Sequence, residues 1–225
     1  MILLYGPPGC GKGTQSEYIS RRFAIPAIST GDMLRADFND SSATSVRVKT
    51  GILVEDDLVN GMVAERLAEP DCEDGFLLDG YPRTVPQALF LQGLVAEQRL
   101  PEPIVIHLDV PKEVVLGRVS FRRQCPQCGH IYNQRTHAAR NPGYCDKDGA
   151  KLTTRDDDGA QVVVNRLNAY EEMAAPLIQH YRRSNYFRID GDRPAAAIWG
   201  DIEQLIECSL ARVRSRRHSL TSSES

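Results

Sequence analysis

The hydrophobic residues of this chain follow two alternating patterns. Short apolar runs, of the kind that strands buried on both faces produce, occur at 1–5, 26–29, 75–80, 103–109 and 186–191. Longer amphipathic stretches with helical spacing lie between and around them, at 12–23, 57–68, 84–98, 112–123, 160–183 and 194–214. Because strands and helices alternate, the pattern predicts an α/β fold, namely a doubly wound, five-stranded parallel sheet with helices on both faces.

Two segments interrupt this alternation. Residues 31–67 have helical character and no strand of their own, and residues 124–158 are rich in Cys, Gly, Pro, Asn and Asp with almost no aliphatic periodicity. Since a long structureless loop is rare inside a compact domain, we expect both segments to be functional excursions from the sheet. The end of the chain, 214–225, is basic and then Ser-rich, which predicts a flexible tail.

Composition narrows the class of protein. With 225 residues the chain can bury one sizeable core, and a formal net charge of −3 provides no global basic field for nucleic acid. No apolar run reaches the length of a membrane span, and the first residues lack the pattern of a secretory signal. We therefore expect a cytoplasmic protein that binds neither membrane nor nucleic acid.

Arginine is distributed unevenly. Because the guanidinium group suits phosphate oxygens, a local excess of Arg favours a surface that holds polyanions over an ordinary solvated helix face. Two of these arginines, Arg118 and Arg122, lie four apart on a predicted helix and therefore on one of its faces. The full set is Arg118, Arg122, Arg123, Arg135, Arg140, Arg155 and Arg166.

The first apolar run leads into a glycine-rich turn, Gly-Pro-Pro-Gly-Cys-Gly-Lys, from Gly6 to Lys12. Its Gly-x-x-x-x-Gly-Lys spacing between a strand and a helix is typical of the P-loop, in which backbone N–H groups and a helix N-terminus hold phosphate. Gly13 stands where that motif has Ser or Thr, and the hydroxyl follows at Thr14. We expect Lys12 to reach the β- and γ-phosphates of a nucleotide and Thr14 to face phosphate or Mg²⁺.

Two residues near this loop carry further hypotheses. Asp79 ends an apolar run, where its carboxylate could hold Mg²⁺ through water or could equally serve as a helix cap or a salt-bridge partner. Cys10 lies inside the loop, and activity should be sensitive to thiol oxidation if the helix N-terminus favours its thiolate.

The cysteine-rich segment contains two chelating pairs. Cys125-x₂-Cys128 is followed, after sixteen intervening residues, by Cys145-x₂-Asp148. Three thiolates and one carboxylate at this spacing suit a closed tetrahedral site, so we expect a structural Zn²⁺ ion, although thiolates also accept iron or cobalt. His130 is a competing ligand that lies close to Cys128 in sequence. Free thiols would leave a segment with too few apolar residues to fold unaided.

Five motifs, in order along the chain, resemble those of the adenylate kinase family. They are GPPGCGKGT (6–14), ISTGDMLR (28–35), GFLLDGYPRTVPQA (75–88), LTTRDDD (152–158) and EEMAAPLI (171–178). The resemblance covers about residues 1–205. It implies a monomeric phosphotransferase that interconverts ATP plus AMP and two ADP with Mg²⁺, and whose lid closes to exclude water. The implied units are a core (1–29, 60–121 and 160–213), an NMP-binding insert (30–59) and a zinc-binding lid (122–159), followed by the tail (214–225).

The resemblance also implies a role for individual residues. The contacts to ATP would come from Gly9, Cys10, Gly11, Lys12, Gly13, Thr14, Arg118, Arg122, Ile131, Tyr132 and Arg193. Those to AMP would come from Thr30, Arg35, Ile52, Leu53, Val54, Gly80, Tyr81, Pro82, Arg83, Gln87, Arg155 and Arg166. Thr30 and Gln87 would read the adenine base. The catalytic group would be Lys12, Arg83, Arg122, Arg155, Arg166 and Asp157, where Asp157 positions the arginines or is only a solvated acidic turn.

Several alternatives stay open at this stage. The same chemistry could use GTP as donor or CMP or UMP as acceptor. A nucleotide-dependent switch or a zinc-bearing RNA-binding protein would instead hydrolyse ATP slowly without an acceptor and bind in a strongly salt-dependent way. A catalytically inactive relative would lack a key residue, and none is missing from the motifs. Ile52 stands where a charged residue is common in the family, which leaves the side-chain contacts to the acceptor open.

Overall fold

A five-stranded parallel sheet forms the centre of the protein. The computed structural model describes residues 1–37, 42–98 and 100–221. Its strands are β1 (Ile2–Tyr5), β2 (Ala27–Ser29), β3 (Leu77–Asp79), β4 (Ile104–Asp109), β5 (Arg122–Gln124), β6 (Ile131–Asn133) and β7 (Asn185–Asp190). β5 and β6 form a separate antiparallel pair, and the other five strands run parallel in the order β2-β3-β1-β4-β7. The predicted sheet is therefore confirmed.

Helices cover both faces of this sheet. They are α1 (Lys12–Phe23), α2 (Thr30–Asp37), α3 (Ala43–Thr50), α4 (Asp56–Leu67), α5 (Val85–Glu97), α6 (Lys112–Ser120), α7 (Ala160–Tyr181) and α8 (Ala195–Thr221). Because successive side chains of a strand point to opposite faces, Ile2 and Leu4 pack with α1, α6 and α8, whereas Leu3 packs with α2, α4 and α5. Two hydrophobic cores result, as a doubly wound sheet requires. No described helix combines the length and the hydropathy that crossing a bilayer requires.

A buried histidine ties α7 to the sheet. His107 of β4 has its Nδ1 atom 2.6 Å from the hydroxyl oxygen of Tyr186 and its Nε2 atom 2.8 Å from that of Tyr170 on α7. Burial lowers the pKa of His107 to about 4, so the imidazole is neutral at physiological pH, with one nitrogen donating and the other accepting. This contact fixes the helix that carries Arg166.

The prediction for the end of α6 was wrong. The helix stops at Ser120, and Arg122 lies in β5, not on a helical face shared with Arg118. The physical reason is the pairing of two strands, because Arg122, Arg123 and Gln124 pair with Asn133, Tyr132 and Ile131 of β6 in an antiparallel register. Hydrogen bonds to β6, which begins only seven residues after β5 ends, override the helical pattern.

The two segments that break the alternation have their own structure. Residues 31–67 contain α2, α3 and α4, apart from 38–41, which lie outside the described residues. The cysteine-rich segment is built on β5 and β6 around a small buried cluster of Cys125, Tyr132 and Cys145. The limits of the insert and of the lid stay predictions. At the other end of the chain, α8 continues to Thr221, seven residues beyond the predicted helix end at 214, and 222–225 lie outside the described residues. The flexibility of the tail likewise stays a prediction.

Candidate active site

A large cleft lies at the carboxyl ends of β1 and β3. Its volume is about 760 Å³, and its walls come from the glycine-rich loop, α2, β6, α7 and the turn before α8. β1 lies between β3 and β4, at the point where the order of the strands reverses. Crevices at such a point are the usual ligand sites of open α/β sheets. All eleven residues predicted to contact ATP, from Gly9 to Arg193, line this cleft.

The glycine-rich loop packs directly against the core. A Cβ atom at Gly6 would lie 2.5 Å from the carbonyl oxygen of Leu108, and one at Gly9 would lie 2.5 Å from Cγ2 of Val119. Both positions also have positive φ angles, of 147° and 79°. Only glycine fits there, because a side chain would meet both a steric clash and backbone strain.

The loop ends at the positive end of α1. Gly11 precedes the first turn of the helix, and that turn contains no acidic residue to offset the helix dipole. The Nζ atom of Lys12 donates to the carbonyl oxygens of Gly6 and Pro7, at 2.8 and 2.9 Å. The ammonium group therefore lies across the loop, beside the backbone N–H groups that would hold a phosphate.

The structure contradicts the hypothesis that Cys10 carries a reactive thiolate. Its side chain is 1% exposed, and burial raises the pKa of the thiol even though Lys12 works in the opposite direction. A neutral, inaccessible thiol at this position is inert. The partial charge of the helix N-terminus does not overcome desolvation.

Asp79 ends β3 at the wall of the cleft. The hydroxyl group of Ser16 donates to its Oδ2 atom at 3.2 Å, and burial raises the pKa of the carboxyl against the opposing charge of Lys12. Within the described ranges, Asp79 neither caps a helix nor forms an ion pair, which removes two of its alternative roles. Asp79 lines the same cleft as Thr14, and its carboxyl oxygens are of the kind that Mg²⁺ prefers.

A second, smaller cavity of about 50 Å³ adjoins the cleft. Most residues predicted to contact AMP line it, namely Thr30, Arg35, Ile52, Leu53, Val54, Gly80, Arg83, Gln87 and Arg166. The carbonyl oxygen of Gly80 accepts hydrogen bonds from Thr30 Oγ1 at 3.1 Å and from Arg83 Nε at 2.8 Å, which holds these two side chains at the rim.

Three of the predicted acceptor residues lie elsewhere. Arg155 lines the large cleft and not the small cavity, whereas Tyr81 and Pro82 line neither. Tyr81 is 2% exposed, and its hydroxyl group donates to Oδ1 of Asn60 at 2.6 Å. Tyr81 and Pro82 thus support the backbone that carries Arg83.

A charge cluster lies where the two cavities meet. Arg166 Nη1 and Arg35 Nη1 donate to Oδ2 of Asp157 at 2.6 and 3.3 Å, and Arg122 forms an ion pair with Asp158. Burial alone would raise the pKa of Asp157, but the nearby guanidinium groups, Arg166 first, hold it below its usual range. Burial also lowers the pKa of Arg155 and of Arg166 to about 10. Asp157 is therefore a buried partner of the arginines and not a solvated turn residue.

Not every arginine of the sequence cluster belongs to this site. Arg123, Arg135 and Arg140 line neither cavity, so the predicted polyanion surface is smaller than the sequence suggested. The guanidinium group of Arg135 lies 3.7 Å from the centroid of the Phe121 ring. Arg193 lines the cleft but is bound to Asp201 at 2.6 Å.

The four predicted metal ligands converge. One ligand atom from each of Cys125, Cys128, Cys145 and Asp148 lies within 4.8 Å of the others. The Sγ atoms of Cys128 and Cys145 are 3.5 Å apart, and the backbone N–H of Lys147 donates to Cys145 Sγ at 3.4 Å. Three sulfurs and a carboxylate in a closed cluster fit a structural zinc ion. His130 lies outside this cluster, with its Nδ1 atom 3.2 Å from Oε2 of Glu17 on α1.

Asp56 is a functional candidate that the sequence did not indicate, and it contacts the predicted site residue Gln87. Gln87 is 3% exposed, and its side-chain amide is bonded at both ends, to the backbone N–H of Arg83 and to Oδ1 of Asp56, each at 2.7 Å. Asp56 lies 31 residues before Gln87 and belongs to no motif, so no spacing in the sequence indicates the pair.

Comparison with known proteins gives a consistent result. The chain matches the family model described as Adenylate kinase over residues 4–186. It is 42% identical to an adenylate kinase of Syntrophotalea carbinolica, over 93% of this chain and 99% of the relative. It is also 42% identical to adenylate kinases of Oceanobacillus iheyensis (92% of this chain, 98% of the relative) and Symbiobacterium thermophilum (92% and 99%). Since these matches span nearly the whole length of both partners and agree with the phosphate loop and the arginine cluster, the chain belongs to the adenylate kinase family.

Proposed function

We propose that this chain transfers the terminal phosphoryl group of ATP to AMP, reversibly, to give two ADP. The observation that carries the proposal is that two cavities share one arginine-lined wall. Arg35, Arg83 and Arg166 line both the large cleft and the small cavity. A donor nucleotide in the cleft and an acceptor in the small cavity would therefore bring their phosphates together at these three side chains.

Phosphoryl transfer between two nucleotides requires little covalent chemistry from the protein. Phosphoryl transfer depends on alignment of donor and acceptor and on neutralisation of the charge on the equatorial oxygens. In our proposal the loop N–H groups and Lys12 hold the donor phosphates, Arg35 and Arg83 hold the acceptor phosphate, and Arg122, Arg155 and Arg166 surround the transferred group. Asp157 keeps the arginines in place between turnovers.

Metal ions have two roles in this proposal. Mg²⁺, when bound with ATP, neutralises phosphate charge, and Thr14 together with Asp79 through water would hold it. Zn²⁺ would be structural, held by Cys125, Cys128, Cys145 and Asp148, and would keep the lid folded. The lid (122–159) would close over the cleft to exclude water, because an open site would hydrolyse ATP. We also propose that the protein is a cytoplasmic monomer, a state that light scattering can test against the chain mass of 25.0 kDa.

The test is a comparison of acceptors. ADP formation from ATP and Mg²⁺ is measured with AMP, CMP, UMP or GMP offered separately. We expect rapid turnover with AMP alone. Rapid turnover with another acceptor would keep the mechanism and change the substrate, and slow hydrolysis that is independent of acceptor would overturn the proposal.

Two arginine variants show whether the shared wall carries the activity. Arg83→Met should lower kcat/KM by roughly a hundredfold or more, because the acceptor phosphate loses a charge-assisted hydrogen-bond donor and with it its alignment. Arg140→Met is the matched control, since Arg140 is exposed and lines neither cavity, and it should retain full activity. Equal activity of the two variants would exclude the shared wall as the site of transfer.

A further inference from the structure

A closed ring of hydrogen bonds lies beside the small cavity and connects α4 with α5. The backbone N–H of Arg83 donates to Gln87 Oε1 at 2.7 Å, and Gln87 Nε2 donates to Asp56 Oδ1 at 2.7 Å. The hydroxyl group of Thr84 donates to Asp56 Oδ2 at 2.8 Å, and the backbone N–H of Gln87 donates to Thr84 Oγ1 at 3.2 Å. Every bond in this ring joins a donor to an acceptor.

The ring fixes which way the amide of Gln87 points. An ionised carboxylate can only accept hydrogen bonds, and a backbone N–H can only donate them. The Nε2 atom must therefore face Asp56 and the Oε1 atom must face Arg83. Rotating the amide by 180° would bring oxygen against carboxylate and N–H against N–H, so both bonds would be lost.

The amide has capacity left for a ligand. Its NH₂ group has a second hydrogen and its oxygen a second lone pair, and Gln87 lines the small cavity. While the amide cannot rotate, it can bind only a base edge that offers an acceptor to the free N–H and a donor to the free lone pair of the oxygen. Adenine offers an N6–H donor next to the N1 acceptor, whereas hypoxanthine offers the O6 acceptor next to an N1–H donor. The two purines thus present opposite patterns at the same two positions.

We propose that Asp56 is a positioning residue that makes the acceptor site select a 6-aminopurine over a 6-oxopurine, by holding the amide of Gln87 in one orientation. The inference rests on the proposed function, in which AMP occupies the small cavity. A glutamine free to rotate would bind both kinds of base, and the pair formed by Asp56 and the Arg83 backbone removes that freedom.

The experiment measures kcat/KM for AMP and for inosine monophosphate (IMP), with ATP and Mg²⁺ as donor and the full chain as enzyme. The test variant is Asp56→Asn, because an Asn can both donate and accept and so permits the rotated amide. The matched control is Asp57→Asn, which removes the same charge from the same turn of α4 at an exposed neighbouring position. Asp56→Glu restores the carboxylate, and Asp56→Ser provides a second neutral variant if the Asn variant does not fold.

We expect the ratio of kcat/KM for AMP to that for IMP to fall roughly tenfold in Asp56→Asn, the effect of losing one hydrogen bond to a charged group. The Arg83 N–H remains, so some discrimination persists. The ratio should stay at the wild-type value in Asp57→Asn and should recover in Asp56→Glu. If AMP and IMP activities fall by the same factor in Asp56→Asn, Asp56 is merely structural and the inference is overturned. Absence of AMP turnover in the wild-type protein would instead refute the proposed function, and this outcome can be told apart from an unchanged AMP-to-IMP ratio in the variant.

Discussion

Replacing Asp157 by Asn should destabilise the protein well beyond the usual effect of a lost carboxylate. The Asp157 side chain is 6% exposed and its Oδ2 atom accepts from Arg166 and Arg35, whose side chains are 20% and 27% exposed. An amide keeps the shape of the side chain but removes the negative charge. Arg166 would then lose its carboxylate partner, and only Asp32, 2.5 Å from Arg35, would remain to offset the charge of the two guanidinium groups.

The expected size of the effect follows from this burial. Breaking a buried ion pair by removing one partner costs about 3 kcal/mol or more, because the other charge is left buried and unpaired. For a chain of 225 residues this loss lowers the melting temperature by about 6 to 12 °C. Asp156→Asn is the matched control, since Asp156 is exposed and adjacent, and it should change the melting temperature by no more than about 2 °C.

The destabilisation caused by Asp157→Asn should depend on pH. The nearby arginines hold the folded-state pKa of Asp157 below the ordinary carboxyl value of 3.8, against the effect of burial. A group of this kind contributes its stability fully above the unfolded-state pKa and loses it as the pH falls through the folded-state value. Urea unfolding of wild type and variant should therefore differ by a constant free energy from pH 7 to pH 5, and the difference should shrink below 3.8.

Two results would refute this reasoning. One is a melting temperature of Asp157→Asn that equals that of Asp156→Asn. The other is a difference in unfolding free energy that grows on acidification, which would mean that the folded-state pKa of Asp157 is raised above the unfolded-state value.

Three further predictions concern the lid and the cysteines. If the proposed metal ion holds residues 125–151 together, treatment with a chelator or the Cys128→Ser substitution should unfold them, so that limited proteolysis cuts there while the core survives. A segment that resists the protease after chelation would contradict a structural role for the metal. Lys147, in the proposed lid, donates to Oε1 of Glu17 at 2.9 Å. Glu17→Gln should therefore raise the KM for ATP two- to fivefold at low salt and less at high salt, as expected of a partly exposed ion pair. Glu203→Gln, on α8 away from this segment, should leave the KM for ATP unchanged. A thiol reagent should label the exposed Cys208 quickly and the buried Cys10 slowly, as measured by mass spectrometry. Rapid labelling of Cys10 in the folded protein would show that its thiol is accessible, contrary to the structure.

Local patterns in the sequence predicted the central sheet and the phosphate loop well. The helix after the loop begins at Lys12 and ends at Phe23, as the apolar spacing indicated, because the glycine turn and the amphipathic stretch agree with the tertiary structure. The convergence of the four predicted metal ligands was equally accessible to prediction, since the spacing of two chelating pairs is itself a geometric constraint.

Contacts between distant segments could not be predicted in this way. Even at short range a pairing was missed, since Arg122 lies in β5 because β6, nine residues further along the chain, offers it backbone hydrogen bonds. The thiol of Cys10 was expected to respond to the helix dipole, but its burial by the core decides its pKa. Gln87 was predicted as a base reader from the resemblance, yet the residue that orients it, Asp56, lies in another helix.

The packing of the phosphate loop has a consequence for how specificity can be changed. No side chain fits at Gly6 or at Gly9 without displacing β4 or α6, so the loop packs tightly against the core at two points. In the proposed mechanism, this packing would hold the donor phosphates at one position, while the proposed insert (30–59) binds the acceptor and the proposed lid (122–159) covers the cleft. We therefore expect that a redesign of the proposed insert for a new acceptor base would leave the point of phosphoryl transfer unchanged.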